Sequence, residues 1–192
     1  MAQLILASGS PRRKALLKQA GLAFTVNVPQ VDEKSIKEKD PERLVKKLAI
    51  LKGESLPLKQ GQVLLSADTV VSHQREILTK PEDEKEAFAM LSRLNGDTHE
   101  VFTGVSIRSY EEEIVFAVCT RVRFWYMSTA ELVAYIQTGE PFDKAGGYGI
   151  QGRGALLVKE ISGDYFNVVG LPLSTVVRKL KPFGIFPYHL GS

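Results

Sequence analysis

The chain has 192 residues, enough for one large domain or two small lobes around a sizeable core. Its 44% apolar and 24% charged content is ordinary for a globular protein, and a net charge of +3 admits an anionic ligand but argues against a protein that coats nucleic acid. No apolar run reaches membrane-spanning length and no charged n-region with a cleavage site opens the chain, so a cytoplasmic, non-membrane protein is expected.

Leu4 to Ala7 is a short apolar run that suits a buried strand. Ser8-Gly9-Ser10-Pro11 breaks it. A helix follows from Arg12 to Ala20, with Ser10 as N-cap, Pro11 at the first helical position, and Leu16 and Leu17 as its apolar face. The free N–H groups at such a helix end attract anions. Arg12 and Arg13 oppose the helix dipole but suit a phosphate, which guanidinium forks grip. The alternative is a capped surface helix with solvated arginines.

Ala23 to Val28 reads as a second strand, and a polar stretch after it carries Asp32 and Glu33. Asp40-Pro41 starts a helix with Leu44, Leu48 and Leu51 on one face, closed by Lys52 and Gly53. Gln62 to Ala67 is a short apolar strand, and Asp68 and Thr69 are expected at its end. A carboxylate there is where open α/β sheets place chemistry, or else it is a turn Asp capping the next segment. Asp83 and Glu86 form a cap pair for a helix with Ala87, Met90, Leu91 and Leu94 buried, ended by Asn95-Gly96.

His99 to Arg108, with Gly104 inside it, and Ile114 to Tyr126 read as the strands of a hairpin. The second strand places Val118, Thr120, Val122, Phe124 and Tyr126 on one face and Arg121, Arg123 and Trp125 on the other. The single cysteine, Cys119, excludes an internal disulfide and reads as a small buried hydrophobe. Ser128 to Glu131 is a capping box whose helix stops at Gly139. A glycine-rich segment, 143–154, precedes an expected strand from Ala155 to Glu160, a turn at 162–164 and a last helix from Pro172 to Lys181. Strands and helices interleave, so the class is α/β or mixed α+β.

Gly147-Tyr148-Gly149-Ile150-Gln151-Gly152 satisfies the dinucleotide fingerprint but neither follows a strand nor opens a helix, so that function is rejected. Scattered histidines exclude a zinc cluster. The polar residues that stand out are acids and cations in turns: Glu33, Asp68, Asp143 and Asp164 against Arg12, Arg13, Lys52, Lys80 and Lys144. Hard oxygen ligands suit Mg2+ or Mn2+, and cations suit phosphates, so together they describe a triphosphate site.

The chain resembles the Maf family of nucleoside triphosphate pyrophosphatases from Leu4 to about Lys181. The matching pieces are Ser8-Gly-Ser-Pro-Arg12-Arg13, the Glu33 region, Ala49 to Lys52, Ala67-Asp68-Thr69, Lys80-Pro81, His99-Glu-Val-Phe-Thr-Gly104, Asp143 to Gly152, and Asp164 to Pro172. Leu51 departs from the family, where a smaller or polar residue is common. The resemblance implies an elongated, curved mixed sheet flanked by helices, with two lobes around a deep cleft in a single domain over 1–185 and a loose tail at 186–192. It implies metal-dependent hydrolysis of a nucleoside triphosphate to the monophosphate and pyrophosphate. Ala67-Asp68-Thr69 with Gln151 resembles the branch that acts on dTTP and UTP, with CTP and modified pyrimidine nucleotides as further candidates.

On that resemblance Asp68 is the expected general base and a metal ligand, and Glu33 the second metal ligand. Arg12, Arg13, Lys52 and Lys80 hold the triphosphate, and Ser8 and Ser10 donate to phosphate oxygens. Arg12, Thr69 and Gln151 set the choice of base. A Gln amide matches the carbonyls and N3–H of uracil or thymine, although it serves equally as a structural amide on loop backbone. The rival function is a non-catalytic nucleotide- or DNA-binding regulator of septum formation. A homodimer paired through the residues of Arg121 to Trp125 is a candidate assembly, the equal alternative being that they cover the core.

Overall fold

The computed structural model describes residues 2–187, so residues 188–192 of the expected tail lie outside the described residues. A seven-stranded mixed sheet is flanked by helices. Strand β1 (Gln3–Ala7) runs parallel to β2 (Thr25–Val26) on one side and to β3 (Gln62–His73) on the other. Beyond β3 the order continues with β5 (Thr98–Arg108), β6 (Glu113–Phe124) and β7 (Val158–Ser162), all antiparallel. The short β4 (Glu76–Leu78) pairs with the far end of β3. Among the described residues no helix is long and apolar enough to cross a membrane.

Helix α1 (Pro11–Gln19) starts as its sequence dictates: the Ser10 side chain accepts from the Arg13 N–H, with Pro11 behind it. Helix α2 (Pro41–Glu54) is capped by Asp40 in the same way. Its buried face is Val45, Leu48, Ala49 and Gly53 rather than the expected Leu44, Leu48 and Leu51, because α2 lies directly on the sheet. A Cβ on Gly104 would stand 2.3 Å from the Val45 carbonyl, and Ser66 Oγ donates to Ala49 O at 2.6 Å. Only a residue without a side chain admits that approach.

Two apolar cores occupy the opposite face of the sheet from α2. One joins Leu6, Leu17 and Leu65 to Val176 and Leu180 of α6 (Leu173–Leu180). The other joins Val101 and Phe124 to Leu91 and Leu94 of α3 (Glu84–Leu94) and to Leu132 of α4 (Thr129–Ile136). Both α3 and the α4 capping box follow the sequence expectation.

Four expectations are corrected. Strand β3 does not end at Ala67: it continues for six more residues, so Asp68 and Thr69 sit in its middle. A strand buried on both faces tolerates polar residues that have partners, and Ser66, Asp68 and Ser72 line its α2 face. Cys119 is exposed, not buried, because its side of β6 is only partly covered; desolvation by its neighbours and then the Glu100 charge push its thiol up to about 11. Tyr126 lies beyond β6 and is exposed instead of continuing its inward face. Residues 152–157 form 3-10 turns, so β7 starts three residues later than expected, and a helix that was not expected, α5 (Tyr165–Val169), follows it.

Candidate active site

On one edge β3 is paired by β1 as far as Ser66 and again by β4 from Val71. Among the described residues no strand covers that edge between them. Asp68 and Thr69 fall in this gap, and a cleft of about 990 Å³ opens over it. Strand periodicity turns the two side chains to opposite faces, Asp68 toward α2 and Thr69 toward α5.

Lys52, in the last turn of α2, places Nζ 2.5 Å from Asp68 Oδ1 and 2.9 Å from Glu33 Oε1. Glu33 comes from a 3-10 turn between β2 and α2. Asp68 is buried, and burial raises its pKa, opposed by the charges of Lys52 and Arg13. The two carboxylates therefore converge on one point, at present filled by an ammonium. Among the described residues no third acid, His or Cys completes a metal-ligand group. Two converging carboxylates fit a hard cation whose remaining ligands are phosphate oxygens and water, the usual way Mg2+ is held beside nucleotides.

Arg13 is buried at the cleft wall, where desolvation lowers its pKa and the Asp68 charge opposes that shift; a guanidinium stays charged there. Ser8 Oγ accepts from Ser10 N at 3.1 Å and from Arg13 Nη1 at 3.4 Å, so the Ser8 hydroxyl proton is uncommitted. Ser10 is occupied as the helix cap. Arg12 reaches across the cleft to Asp143 at 3.2 Å, and Asp143 also pairs with Lys144. Partial burial raises the Asp143 pKa, but these two cations outweigh it and the net shift is downward.

Lys80 is exposed on the loop after β4, and Gln151 is exposed at the start of the 3-10 segment. Gln151 makes no side-chain hydrogen bond at that cap, which removes the support for a purely structural amide. All ten sequence-derived site residues line the one cleft: Ser8, Ser10, Arg12, Arg13, Glu33, Lys52, Asp68, Thr69, Lys80 and Gln151.

Asp143 and Lys144 stand out in the sequence as charges of the triphosphate site, but the pairing of Asp143 with Arg12 depends on an approach from 131 residues away. Two buried residues of the site are not singled out by the sequence. Thr103 and Asn167 are fully buried behind Thr69. Asp164 followed by an apolar pair at Phe166 and Val169 was a legible helix start, and it caps α5 through Phe166 N and Asn167 N.

A family model described as Maf-like protein matches residues 3–183. The dTTP/UTP pyrophosphatase of Symbiobacterium thermophilum is 49% identical over 192 residues, covering 100% of this chain and 98% of the relative. That of Halalkalibacterium halodurans is 51% identical over 185 residues, covering 96% of this chain and 97% of the relative. That of a Geobacillus species is also 51% identical over 185 residues, covering 96% of this chain and all of the relative. With the model matched over nearly its whole length and relatives at half identity end to end, the chain belongs to the Maf-like protein family.

Proposed function

We propose that the chain hydrolyses dTTP and UTP to the monophosphate and pyrophosphate. The observation that carries this is the ion-paired Glu33–Lys52–Asp68 cluster, anchored on the buried Asp68, in a cleft whose walls supply Arg12, Arg13, Lys80 and Lys144. Acids at the floor and cations on the walls suit a triphosphate and a water. The names of the half-identical relatives support the same substrates.

Asp68 accepts a proton from water as its oxygen attacks the α-phosphorus. The bond from the α-phosphorus to the bridging oxygen breaks, and pyrophosphate leaves with the electron pair. Burial suits Asp68 to this task, because a carboxylate of raised pKa is a stronger base. Arg12, Arg13, Lys52 and Lys80 neutralise charge on the leaving group. Glu33 and Asp68 would hold a divalent cation, Mg2+ or Mn2+, which supplies charge neutralisation to phosphate oxygens. Gln151 offers its uncommitted amide to the edge of a pyrimidine. The protein works as a single domain, and its catalysis needs no membrane or nucleic acid.

The test is pyrophosphate release from dTTP, UTP, CTP, GTP and ATP, with Mg2+ or Mn2+, by wild type and Asp68→Asn. Metal-dependent release favouring dTTP and UTP is expected, with kcat lowered about 10²–10⁴-fold in the variant. Nucleotide binding without release from any of them would instead mark a nucleotide-sensing regulator.

A further inference from the structure

All three nitrogens of the Arg13 guanidinium donate to protein oxygens. Nε donates to Gly170 O at 2.8 Å, Nη2 to Thr69 Oγ1 at 3.0 Å, and Nη1 to Ser8 Oγ at 3.4 Å. A guanidinium carries five N–H groups, one on Nε and two on each Nη, so one N–H on each Nη stays uncommitted. Those two remain available to phosphate oxygens.

The direction of the bonds behind Arg13 follows from proton counting. Thr103 Oγ1 lies 2.8 Å from Thr69 Oγ1 and 3.0 Å from the main-chain oxygen of Asn167. A carbonyl only accepts, so the single proton of Thr103 goes to Asn167. The bond between the two hydroxyls then has Thr69 as donor. Thr69 gives its one proton to Thr103 and takes the Nη2–H of Arg13 on a lone pair. The reverse order would turn the Thr69 proton toward Gly170 O, 3.5 Å away and already bonded to Arg13 Nε. Thr103 and Asn167 are fully buried, so no water competes for the Thr103 proton.

We infer that Thr69, Thr103 and the Asn167–Gly170 turn form a one-way relay, buried behind Thr69, that fixes the Arg13 guanidinium for phosphate and makes Thr69 a positioning residue. The inference rests on the triphosphate site proposed above. It gives a task to the Asp164–Pro172 motif. Asp164 caps α5, and α5 with Gly170 delivers the two carbonyls on which the relay and the Arg13 Nε end. With its hydroxyl proton committed to Thr103, Thr69 keeps one lone pair facing the cleft.

The experiment compares Thr103→Val, Thr103→Ser and Thr69→Val with wild type by two readouts. One is the calorimetric affinity for inorganic triphosphate, which has no base. The other is kcat/KM on UTP. Thr103→Val and Thr69→Val are expected to weaken triphosphate about tenfold and to lower kcat/KM on UTP by the same factor, while Thr103→Ser restores both. Lower kcat/KM on UTP with unchanged triphosphate affinity would overturn the relay. Wild type that fails to bind triphosphate would overturn it as well. Wild type that binds triphosphate without hydrolysing UTP would sink the hydrolytic function alone, and the affinity comparison would still decide the relay. Circular dichroism checks folding; should Thr103→Val not fold, the half-buried Thr69→Val carries the comparison.

Discussion

His99 is a titratable side chain that the fold keeps neutral. It is buried against Phe124 and Tyr148, and Tyr148 Oη lies 2.7 Å from its Nε2. Burial, and then the neighbouring His73, lower its pKa to about 3, against an opposing pull from Asp97. The unfolded chain therefore binds a proton at this site between about pH 6.5 and pH 3 that the folded chain does not. Stability from this group is whole above pH 6.5 and is lost as pH falls. In urea unfolding, wild type is expected to lose about 1.4 kcal/mol per pH unit more than His99→Phe between pH 6 and pH 4.5. Parallel curves for the two proteins would contradict a buried neutral imidazole. At this scale the sequence reveals side chains that carry their chemistry alone, such as Asp68 and Lys52. It hides those whose function is a contact: Thr103 and Asn167 lie within family-matching motifs, but only the fold sets them behind Thr69.

Strand β5 and helix α2 meet backbone to backbone at Gly104, which stands opposite Asp68 in the sheet. That contact sets the height of α2 over the sheet and with it the reach of Lys52 to Asp68. Gly104→Ala must drive a methyl group into the Val45 carbonyl. It is expected to cost about 3 kcal/mol in urea unfolding and to reduce turnover together with stability; a change within about 0.5 kcal/mol would contradict the close approach. The capped helices α1, α2, α3 and α4 were legible because caps and apolar spacing are local signals. Strand β3 was read too short because Asp68 and Thr69 break an apolar run, and only pairing with β5 shows that the strand continues. Residues 155–157 read as strand for the opposite reason: Ala155-Leu156-Leu157 is an apolar run, but it turns without pairing and buries only Leu157.

Across the molecule, the two cores lie toward opposite ends of the long strands, and the cleft opens at the break between β1 and β4. The Arg12–Asp143 pair is the polar link across that cleft. With side chains 31% and 64% exposed it is a weak tie, of a kind worth about 0–1 kcal/mol, and a phosphate can readily take its place on Arg12. The mixed sheet and the cleft are what the family resemblance implies, and the residues from Ser8 to Gln151 that carry it line one cleft. How they converge was not legible, because it depends on β3 changing its neighbour on one edge halfway along.

The proposed hydrolysis directs water to the α-phosphorus, with pyrophosphate leaving. Turnover of UTP in 18O-labelled water, followed by mass spectrometry of the products, tests this most directly. Label in the nucleoside monophosphate, with unlabelled pyrophosphate, is the expected result. Label in the pyrophosphate would place the attack on the β-phosphorus and contradict the assignment.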